Sequence, residues 1–352
     1  VARLPRPATQ HVLRRLGSAL CGAHTMCWAG WVALLRRVVV GEKPEPLSDD
    51  YALGKEIGRG SFGTVFLCTR RGSQLRFAAK RVSKLICSAA SIDLEVEMLR
   101  KLAHPSVAEL HCVYASKLHV DMVFSLYRGG DMLDAMNLHW ASKGNIPMVA
   151  VQNLIRQVFQ GIAWLHQHSV VHRDVKAENY LLDRAGVEQP ECTICLSDFG
   201  CAVRLGPGER LKKARGTECY WAPQIYAESY AREVDVWAAG VVMFGMVSGA
   251  FPFSTKEEVL AKKVKVPPRC GETGRSLMLG VLERNEVKRL TADGALEHPF
   301  LAAAPSSAPA LSKEPLRLPE EEVGSAEGMP NSPCKSEATT TASSSDYPEQ
   351  QL

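Results

Sequence analysis

Two short motifs in the middle of the chain constrain its fold more than any other part of the sequence. The first is HRDVKAEN at residues 172–179, and the second is DFG at residues 198–200. Each motif places carboxylate, amide or cationic side chains within a few residues of one another. Both lie downstream of a glycine-rich loop at residues 58–65, in an order and at a spacing typical of phosphate chemistry. Either motif alone could arise by chance, whereas the pair predicts an enzyme domain that handles phosphate.

The side chains in these motifs suit phosphoryl transfer. Asp174 can orient and deprotonate a hydroxyl group, and Lys176 can balance charge beside it. Asn179 and Asp198 can hold Mg²⁺ on phosphate groups, because this hard cation prefers oxygen ligands. The motifs therefore predict three catalytic residues, Asp174, Lys176 and Asn179. They predict Asn179 and Asp198 as the metal ligands.

The length and charge of the chain limit its class. Its 352 residues suffice for one large domain or two small ones with tails. The formal net charge of +4 is small, and the basic residues are not gathered into one block. We therefore expect no nucleic-acid partner.

The eleven cysteines are scattered and odd in number, which indicates reduced thiols in a cytoplasmic compartment. One CxxC pair, Cys192 and Cys195, could serve zinc or redox chemistry. No second CxxC or nearby histidine pair accompanies it. The favoured interpretation is a buried strand leading into DFG, with Cys192, Ile194 and Leu196 on one face.

The two ends of the chain differ in composition from its middle. Residues 1–48 have no acidic residue before Glu42, and residues 16–35 are uncharged. This extension could be a bilayer span, an organelle transit peptide, or a poorly ordered extension or mispredicted exon, and we slightly favour the last. We do not expect membrane association, although residues 16–35 keep that alternative open. Residues 302–352 are rich in Ser, Pro and Glu and are predicted to be disordered.

Residues 51–301 carry the periodic part of the sequence, in which a strand-rich region precedes a helix-rich one. Short apolar runs broken by glycine predict strands, and apolar residues at helical spacing predict helices. One run is apolar on all sides, which is typical of a helix buried inside a domain. The predicted elements are antiparallel strands from Leu53 to Lys80 and on to about Leu126, helices at 91–103 and 149–166, and the buried helix Val234–Val247.

These features together resemble a eukaryotic protein kinase over residues 51–301, closest to the calcium/calmodulin-dependent group of Ser/Thr kinases. The glycine loop, GRGSFGTV, is followed by Ala78-Ala79-Lys80 at the kinase distance. A dinucleotide-binding fold also uses GxGxxG, but it continues into a helix, whereas Val65 continues into a predicted strand. The resemblance implies an α+β, two-lobed fold with a small antiparallel-sheet lobe and a larger helical lobe. It also implies ATP and Mg²⁺ as cofactors.

The resemblance implies a set of nucleotide-binding residues. Lys80 is expected to grip the α- and β-phosphates. The backbone of the hinge Ser125-Leu126-Tyr127 is expected to hydrogen-bond adenine. The expected nucleotide-binding residues are Ile57, Gly58, Gly60, Ser61, Phe62, Gly63, Val65, Ala78, Lys80, Ser125, Tyr127 and Leu181.

The ion-pair partner of Lys80 is expected to be Glu95, so Lys80 and Glu95 join the catalytic set. Glu97 is the alternative. Glu95 is preferred because Leu99, four residues later, then falls on the inward face of the helix. By the same resemblance, Leu99 belongs to an apolar column that links the two lobes, together with Leu110, Phe199 and His172.

Two residues indicate serine or threonine as the acceptor. Ser/Thr kinases place lysine two residues after the catalytic aspartate, as Lys176 does here. Thr217 is expected to contact both Asp174 and Lys176 through its hydroxyl, and it completes the catalytic set. Asp235 resembles the aspartate that anchors the backbone of the catalytic loop.

The preferred substrate sequence is less closely specified. Asp131 and Glu178 match acidic positions that basophilic kinases use to hold arginine ahead of the acceptor. The alternative is that both are solvated carboxylates.

The chain departs from the family pattern in two places. The segment from Cys201 to Arg215 contains no Ser, Thr or Tyr, so no phosphate can form there to pair with Arg173. We expect activity without phosphorylation of this segment, with Glu209 as a candidate substitute anion. The second departure is Gln224 in place of the usual glutamate, whose partner is expected to be Arg289.

These observations predict a monomeric, cytoplasmic kinase that phosphorylates Ser and Thr of protein substrates. The alternative is a pseudokinase scaffold that binds nucleotide or partners without catalysis. Pseudokinases usually lack one of Lys80, Asp174, Asn179 or Asp198, and this chain has all four.

Overall fold

The computed structural model describes residues 42–43, 46–60 and 63–302. The strands are β1 (Glu42–Lys43), β2 (Tyr51–Gly60), β3 (Gly63–Arg70), β4 (Arg76–Ser83), β5 (Leu110–Ala115), β6 (His119–Ser125), β7 (Val170–Val171), β8 (Tyr180–Leu182), β9 (Ile194–Leu196) and β10 (Val203–Arg204). The α-helices are α1 (Leu47–Asp50), α2 (Ala89–Lys101), α3 (Met132–Lys143), α4 (Met148–Gln167), α5 (Pro223–Tyr226), α6 (Glu233–Ser248), α7 (Lys256–Ala261), α8 (Gly271–Val281), α9 (Ala292–Glu297) and α10 (Pro299–Ala302). Short 3₁₀ turns lie at Ala177–Asn179, Phe199–Cys201, Glu218–Tyr220 and Pro268–Cys270.

The first part of the described chain forms a sheet with the strand order β1-β5-β6-β4-β3-β2. Neighbouring strands are antiparallel, except that β1 runs parallel to β5. The glycine loop joins β2 to β3. A Cβ at Gly63 would lie 2.3 Å from the carbonyl oxygen of Arg81 on β4, so only glycine allows this close approach. The predicted antiparallel strands of the small lobe are confirmed.

Helix α2 packs on this sheet through one apolar face, which includes the buried Ile92 and Val96. Ser88 caps its N-terminus with its side-chain hydroxyl, so the helix begins at Ala89, before the predicted range 91–103. The helix also ends earlier than predicted, at Lys101. The predicted range 91–103 rests on the spacing of apolar residues alone, and this spacing gives no information about a polar cap.

Helices α4 and α6 organise the core of the large lobe. Helix α6 is buried on nearly all sides, as predicted. Gly240 lets helix α8 approach closely, because a Cβ there would lie 2.9 Å from the Val281 side chain. Helices α4 and α6 each extend slightly beyond their predicted ranges, 149–166 and Val234–Val247. The large lobe is therefore helical around a central buried helix.

Two short antiparallel strand pairs bring the motifs together. Strand β8 pairs with β9, and β7 pairs with β10. Residues 172–179 lie between β7 and β8, and residues 198–200 lie between β9 and β10. The strand pairing therefore sets the two motifs side by side.

The CxxC pair is part of the core. Cys192 and Cys195 are both buried, and burial raises the pKa of each thiol to about 12. Within residues 46–60 and 63–302, no group of three or more His, Cys, Asp or Glu side chains could hold a metal ion. Cys195 lies on the buried strand β9, as the strand interpretation predicts, whereas Cys192 precedes that strand by two residues.

Two of the predicted regions lie largely or wholly outside the described residues. They are the extension 1–48, with its uncharged stretch 16–35, and the tail 302–352 beyond Ala302. In the part of the chain that the structure describes, no helix is long and apolar enough to cross a membrane.

Candidate active site

The backbone of the catalytic loop is fixed by Asp235, which projects from the first turn of α6. Its two carboxylate oxygens accept the N–H groups of His172 and Arg173, each at 2.8 Å. Burial acts to raise the pKa of Asp235, but a 3.0 Å hydrogen bond with His166 and the nearby histidines outweigh burial and lower it. Asp235 therefore holds the loop as a carboxylate, in the anchoring position that the sequence predicts.

Asp174 lies at the centre of a set of short contacts. Its Oδ1 accepts hydrogen bonds from the backbone N–H of Thr217 at 3.0 Å and from the Thr217 hydroxyl at 2.8 Å. Its Oδ2 lies 3.3 Å from Nζ of Lys176, and Nζ also donates to the Thr217 hydroxyl at 2.8 Å. Asn179 donates through Nδ2 to the Asp174 carbonyl at 2.8 Å. The structure thus brings four predicted catalytic residues into one hydrogen-bonded cluster.

A second cluster forms around Lys80 on β4. Its Nζ lies 2.7 Å from Glu95 on α2 and 2.8 Å from Asp198 of the DFG motif. Glu97 instead contacts Lys101 and Arg204, so Glu95 is the partner, as the spacing predicts. Lys80 therefore connects the sheet, helix α2 and the DFG motif.

The charges in this second cluster stabilise one another. Burial favours the neutral form of Lys80, but the carboxylates of Glu95 and Asp198 outweigh burial and raise its pKa. Burial likewise disfavours the carboxylate of Asp198, and the Lys80 ammonium outweighs it and lowers the pKa of Asp198. Lys80 and Asp198 are therefore both charged at neutral pH.

The DFG motif turns sharply at Asp198, which has φ 58° and ψ 74°, a left-handed conformation uncommon outside glycine. This turn sends Asp198 towards Lys80 and Phe199 into the core. The Phe199 ring packs edge-on against His172, with ring centroids 5.0 Å apart. Leu99 is buried in the same core, and Leu110 packs against it. The four residues of the predicted apolar column are therefore all in the core or against it.

The expected nucleotide-binding residues that the structure describes lie on β2, β3, β4 and β8 and at or just after the end of β6. Val65 pairs with Lys80 across β3 and β4, and Ala78 pairs with Phe124 across β4 and β6. Leu181 lies on β8, across the ladder from Cys195. Ser61 and Phe62 of the glycine loop lie outside the described residues.

The hinge is braced by Glu109, a residue that the sequence motifs do not mark. Its carbonyl accepts the Ser125 N–H at 3.1 Å, and its N–H donates to the Tyr127 hydroxyl at 3.2 Å. Its side chain accepts the Ser125 hydroxyl at 3.0 Å, and His111 lies 2.8 Å from the same hydroxyl. Glu109 therefore fixes both hinge residues expected to bind adenine. A glutamate just before a strand carries no sequence signal for this role.

The two acids proposed to bind basic substrates also have contacts within the chain. Asp131 caps α3 by accepting the Asp134 N–H at 2.9 Å, and Glu178 accepts the Tyr220 hydroxyl at 3.0 Å. Burial raises the pKa of Asp131, and the negative charges of Asp134 and Glu178 add to this effect. The two carboxylates are thus close enough to act on one another electrostatically.

The oxygen ligands present suit Mg²⁺ bound with a nucleotide. The Asn179 carbonyl accepts the Ser197 N–H at 2.8 Å, so Asn179 lies beside the start of the DFG motif. Asn179 donates from Nδ2 to Asp174, which leaves its amide oxygen as the atom that could bind a cation together with the Asp198 carboxylate. One or two protein oxygens are typical for Mg²⁺ that substrate phosphates also hold. The residues present therefore fit the expected cofactors.

The structure agrees with the expectation for Gln224 and disagrees with the expectation for Glu209. Gln224 accepts a hydrogen bond from Arg289 at 2.8 Å, so the expected partner is in place. Glu209 is not placed on Arg173. Its carboxylate instead accepts the N–H of Gly206 at 2.7 Å, and Arg173 donates from Nε to the Cys201 carbonyl at 2.6 Å. The expectation that Glu209 substitutes for a phosphate is therefore wrong, because Glu209 and Arg173 each bond to a backbone group and not to each other.

Comparison with known proteins gives an independent view of the same region. Residues 51–301 match the protein kinase domain family. The chain is 34% identical over 267 residues to the serine/threonine-protein kinase PEPKR2 of Arabidopsis thaliana, which covers 72% of this chain and 54% of that protein. It is 33% identical over 266 residues to calcium-dependent protein kinase 8 of Oryza sativa subsp. japonica, covering 71% and 48%. Calcium-dependent protein kinase 11 of Arabidopsis thaliana is 32% identical over 270 residues, covering 72% and 53%. The chain thus spans about half the length of these curated relatives.

Proposed function

The chain belongs to the protein kinase family, and we propose that it transfers the γ-phosphate of ATP to serine and threonine hydroxyls of protein substrates. The observation that carries this proposal is the cluster in which Asp174 is bonded to Thr217, Lys176 and Asn179. A pseudokinase scaffold is not favoured, because Lys80, Glu95 and Asp198 are also in mutual contact.

The proposed mechanism assigns one task to each charged residue. Asp174 accepts a hydrogen bond from the substrate hydroxyl and orients it. Asp174 receives its proton as the bond from the substrate oxygen to the γ-phosphorus forms, the bond from that phosphorus to the β–γ bridging oxygen breaks, and ADP leaves. Lys176 stabilises the negative charge that develops beside Asp174. Lys80, positioned by Glu95, binds the nucleotide phosphates. Asn179 and Asp198 would hold Mg²⁺, which would supply neutralisation of the phosphate charge when bound.

Acceptor choice follows from the Thr217 hydroxyl. It donates to Asp174 and accepts from Lys176, so it lies between the base and its cation. The aliphatic hydroxyl of a substrate is proposed to enter beside Asp174, Lys176 and Thr217. Lys176 in this position supports a Ser/Thr acceptor over tyrosine.

We further propose that the enzyme prefers substrates with arginine two or three residues before the acceptor. The support is the electrostatic proximity of Asp131 and Glu178, two carboxylates that a guanidinium could pair with. The test is a matched peptide pair with arginine or alanine at these positions. Equal kcat/KM for both peptides would refute the preference, and Asp131→Asn should reduce any difference found.

Compartment and assembly are also proposals. The described cysteines are free thiols, which supports a reducing, cytoplasmic location. The small net charge supports the absence of a nucleic-acid partner. The chain is proposed to act as a monomer.

The decisive experiment measures transfer of radiolabelled phosphate from ATP to a basic generic protein substrate. Wild type is compared with Asp174→Ala and with Asp49→Asn, an exposed carboxylate on α1 that serves as the matched control. We expect transfer by wild type and by the control, and none by Asp174→Ala. Nucleotide binding is measured on the same samples. Binding without transfer in wild type would favour the pseudokinase alternative.

A further inference from the structure

Residues 201–215, here named the connecting segment, join the DFG motif to Thr217 and contain no serine, threonine or tyrosine. In many kinases this loop is ordered by a phosphate that pairs with arginine. The connecting segment offers no hydroxyl for that phosphate. Contacts of another kind must therefore hold it against the large lobe.

The Arg210 side chain makes three such contacts with one guanidinium group. Nε donates to the Ser229 hydroxyl at 2.7 Å, and Nη2 donates to the Ser229 carbonyl at 2.6 Å. Nη1 lies 2.8 Å from Oε1 of Glu286. Ser229 lies between α5 and α6, and Glu286 lies between α8 and α9. Arg210 therefore ties the connecting segment to two separate parts of the large lobe.

The backbone next to Arg210 is attached to the same turn. Leu211 and Tyr230 exchange backbone hydrogen bonds of 2.8 and 3.0 Å. The hydroxyl of Tyr230, a fully buried residue, donates to the Lys213 carbonyl at 2.6 Å. Residues 210–213 are thus held by side-chain and backbone contacts together.

The attached stretch lies just upstream of the contact between Thr217 and Asp174. Gly216 has φ 91°, and a Cβ there would lie 2.1 Å from the Arg173 carbonyl. Gly216 is therefore pressed against the catalytic loop, with two residues between it and the attached stretch at 210–213. A shift of that stretch would displace the hydroxyl that Asp174 and Lys176 share.

We propose that Arg210 is a positioning residue that does for this kinase what an activation-loop phosphate does in others. It holds the connecting segment so that Thr217 stays on Asp174 without any phosphorylation event. This proposal rests on the proposed kinase function and adds its mode of regulation, which is constitutive order of the loop.

The chemistry of the three contacts explains why arginine is needed. The Arg210 side chain is 39% exposed and that of Glu286 is 22% exposed, so the ion pair alone contributes little. The two bonds to Ser229 are charge-assisted and point in fixed directions, which the planar guanidinium satisfies and an ammonium group does not. We therefore expect lysine at position 210 to recover only part of the effect.

The test compares wild type with Arg210→Ala, Arg210→Lys and the control Lys212→Ala, all in the full chain after phosphatase treatment. Lys212 is a neighbouring exposed cation on the same segment. For each protein we would measure kcat and KM for a peptide, the affinity for a nucleotide analogue, and the rate of trypsin cleavage after Lys213 and Arg215.

Arg210→Ala is expected to lower peptide kcat/KM about ten- to a hundred-fold. This factor is smaller than the sum of the three lost contacts, because the site is partly exposed. Nucleotide affinity is expected to stay unchanged, Arg210→Lys to be intermediate, and the control to match wild type. Trypsin is expected to cut Arg210→Ala faster. Loss of activity on phosphatase treatment of a wild type that is active before treatment would overturn the proposal, as would parallel losses of nucleotide and peptide binding in Arg210→Ala.

The trypsin measurement separates this proposal from the proposed function. If wild type does not transfer phosphate, the kinase proposal fails, and the cleavage rates still report whether Arg210 orders the segment. If wild type transfers phosphate but Arg210→Ala is cleaved and turns over like the control, only the positioning role is refuted.

Discussion

The amide oxygen of Gln224 lies 2.8 Å from Nη2 of Arg289, a residue that is 4% exposed. The guanidinium also donates to the carbonyls of Glu283 and Glu233, and it lies over the Trp237 ring. Burial lowers the pKa of Arg289 to about 10, and the negative charge of Glu286 is the largest effect that opposes this. A neutral partner at position 224 therefore leaves a buried cation with little direct compensation.

Gln224→Glu is expected to raise the free energy of unfolding, by about 1 kcal/mol at pH 7, since a carboxylate would neutralise the buried cation. The gain is limited because Gln224 also donates from Nε2 to the Arg284 carbonyl at 2.5 Å, and a carboxylate cannot donate. The pKa of the new carboxyl would be lowered by Arg289, so the gain should disappear as the solution becomes acidic. Urea unfolding at neutral and acid pH measures both effects.

Gln224→Met is the matched comparison, because it keeps the size of the side chain and removes both hydrogen bonds. We expect it to cost about 2–3 kcal/mol, since it removes the short acceptor of Arg289 Nη2 and the donor to the Arg284 carbonyl, and one of these two bonds involves a charged group. A Gln224→Glu protein that is no more stable than wild type would show that the lost donor matters as much as the gained charge.

Local motifs, the family resemblance that they carry and helical periodicity together predict most of the candidate site. Lys80 and Asp198 stand in short motifs, and periodicity on α2 separates Glu95 from Glu97 because only one of them faces inward. The presence of antiparallel strands in the small lobe also follows from short apolar runs broken by glycine, whereas their order in the sheet does not. Each of these features depends on residues that are close together in the sequence.

The parts that could not be predicted depend on contacts between distant residues. Glu109 braces the hinge 16 residues later, and Arg210 reaches Ser229 19 residues later. Neither residue belongs to a motif. The sequence alone does not distinguish such a glutamate or arginine from one whose side chain is solvated. Glu209 was predicted to replace a phosphate by charge alone, whereas a nearby backbone N–H determines its contact.

Tyr180→Phe is expected to stabilise the large lobe. Tyr180 is fully buried, and its hydroxyl has no hydrogen-bond partner among residues 46–60 and 63–302. Burying an unpaired hydroxyl costs about 1–3 kcal/mol, so its removal should raise the free energy of unfolding by a similar or smaller amount. Thermal and urea unfolding measure the change.

The contrast for Tyr180→Phe is Tyr230→Phe at another fully buried tyrosine. The Tyr230 hydroxyl donates to the Lys213 carbonyl, so its removal should destabilise rather than stabilise. If both substitutions lowered stability, the Tyr180 hydroxyl would have a partner in solution.

Glu188 is expected to make stability depend on pH in the acid range. Hydrogen bonds from Lys143, the largest effect, and His139 lower the pKa of Glu188 from 4.5 to about 2. Because the folded-state pKa is the lower one, the carboxylate stabilises the fold above pH 4.5, and this contribution is lost as the pH falls towards about 2. Wild type should therefore be more stable than Glu188→Gln at pH 7. The difference in the free energy of unfolding should shrink as the pH falls from 4.5 towards about 2. A difference in unfolding free energy that stays constant from pH 7 to pH 3 would contradict this assignment.

Thr217→Val is expected to reduce peptide kcat/KM about ten- to a hundred-fold, because it removes the hydroxyl that donates to Asp174 at 2.8 Å and accepts from Lys176 at 2.8 Å. Valine has nearly the same shape, and its backbone N–H can still donate to Asp174, so the fold and nucleotide affinity should be unchanged. Thr217→Ser retains the hydroxyl and should keep most of the activity. The measurement is steady-state kinetics with serine and tyrosine peptides of otherwise identical sequence. Full activity in Thr217→Val would mean that Lys176 and Asp174 need no bridging hydroxyl. The contact would then only hold the connecting segment, and its loss would appear in trypsin cleavage and not in kcat.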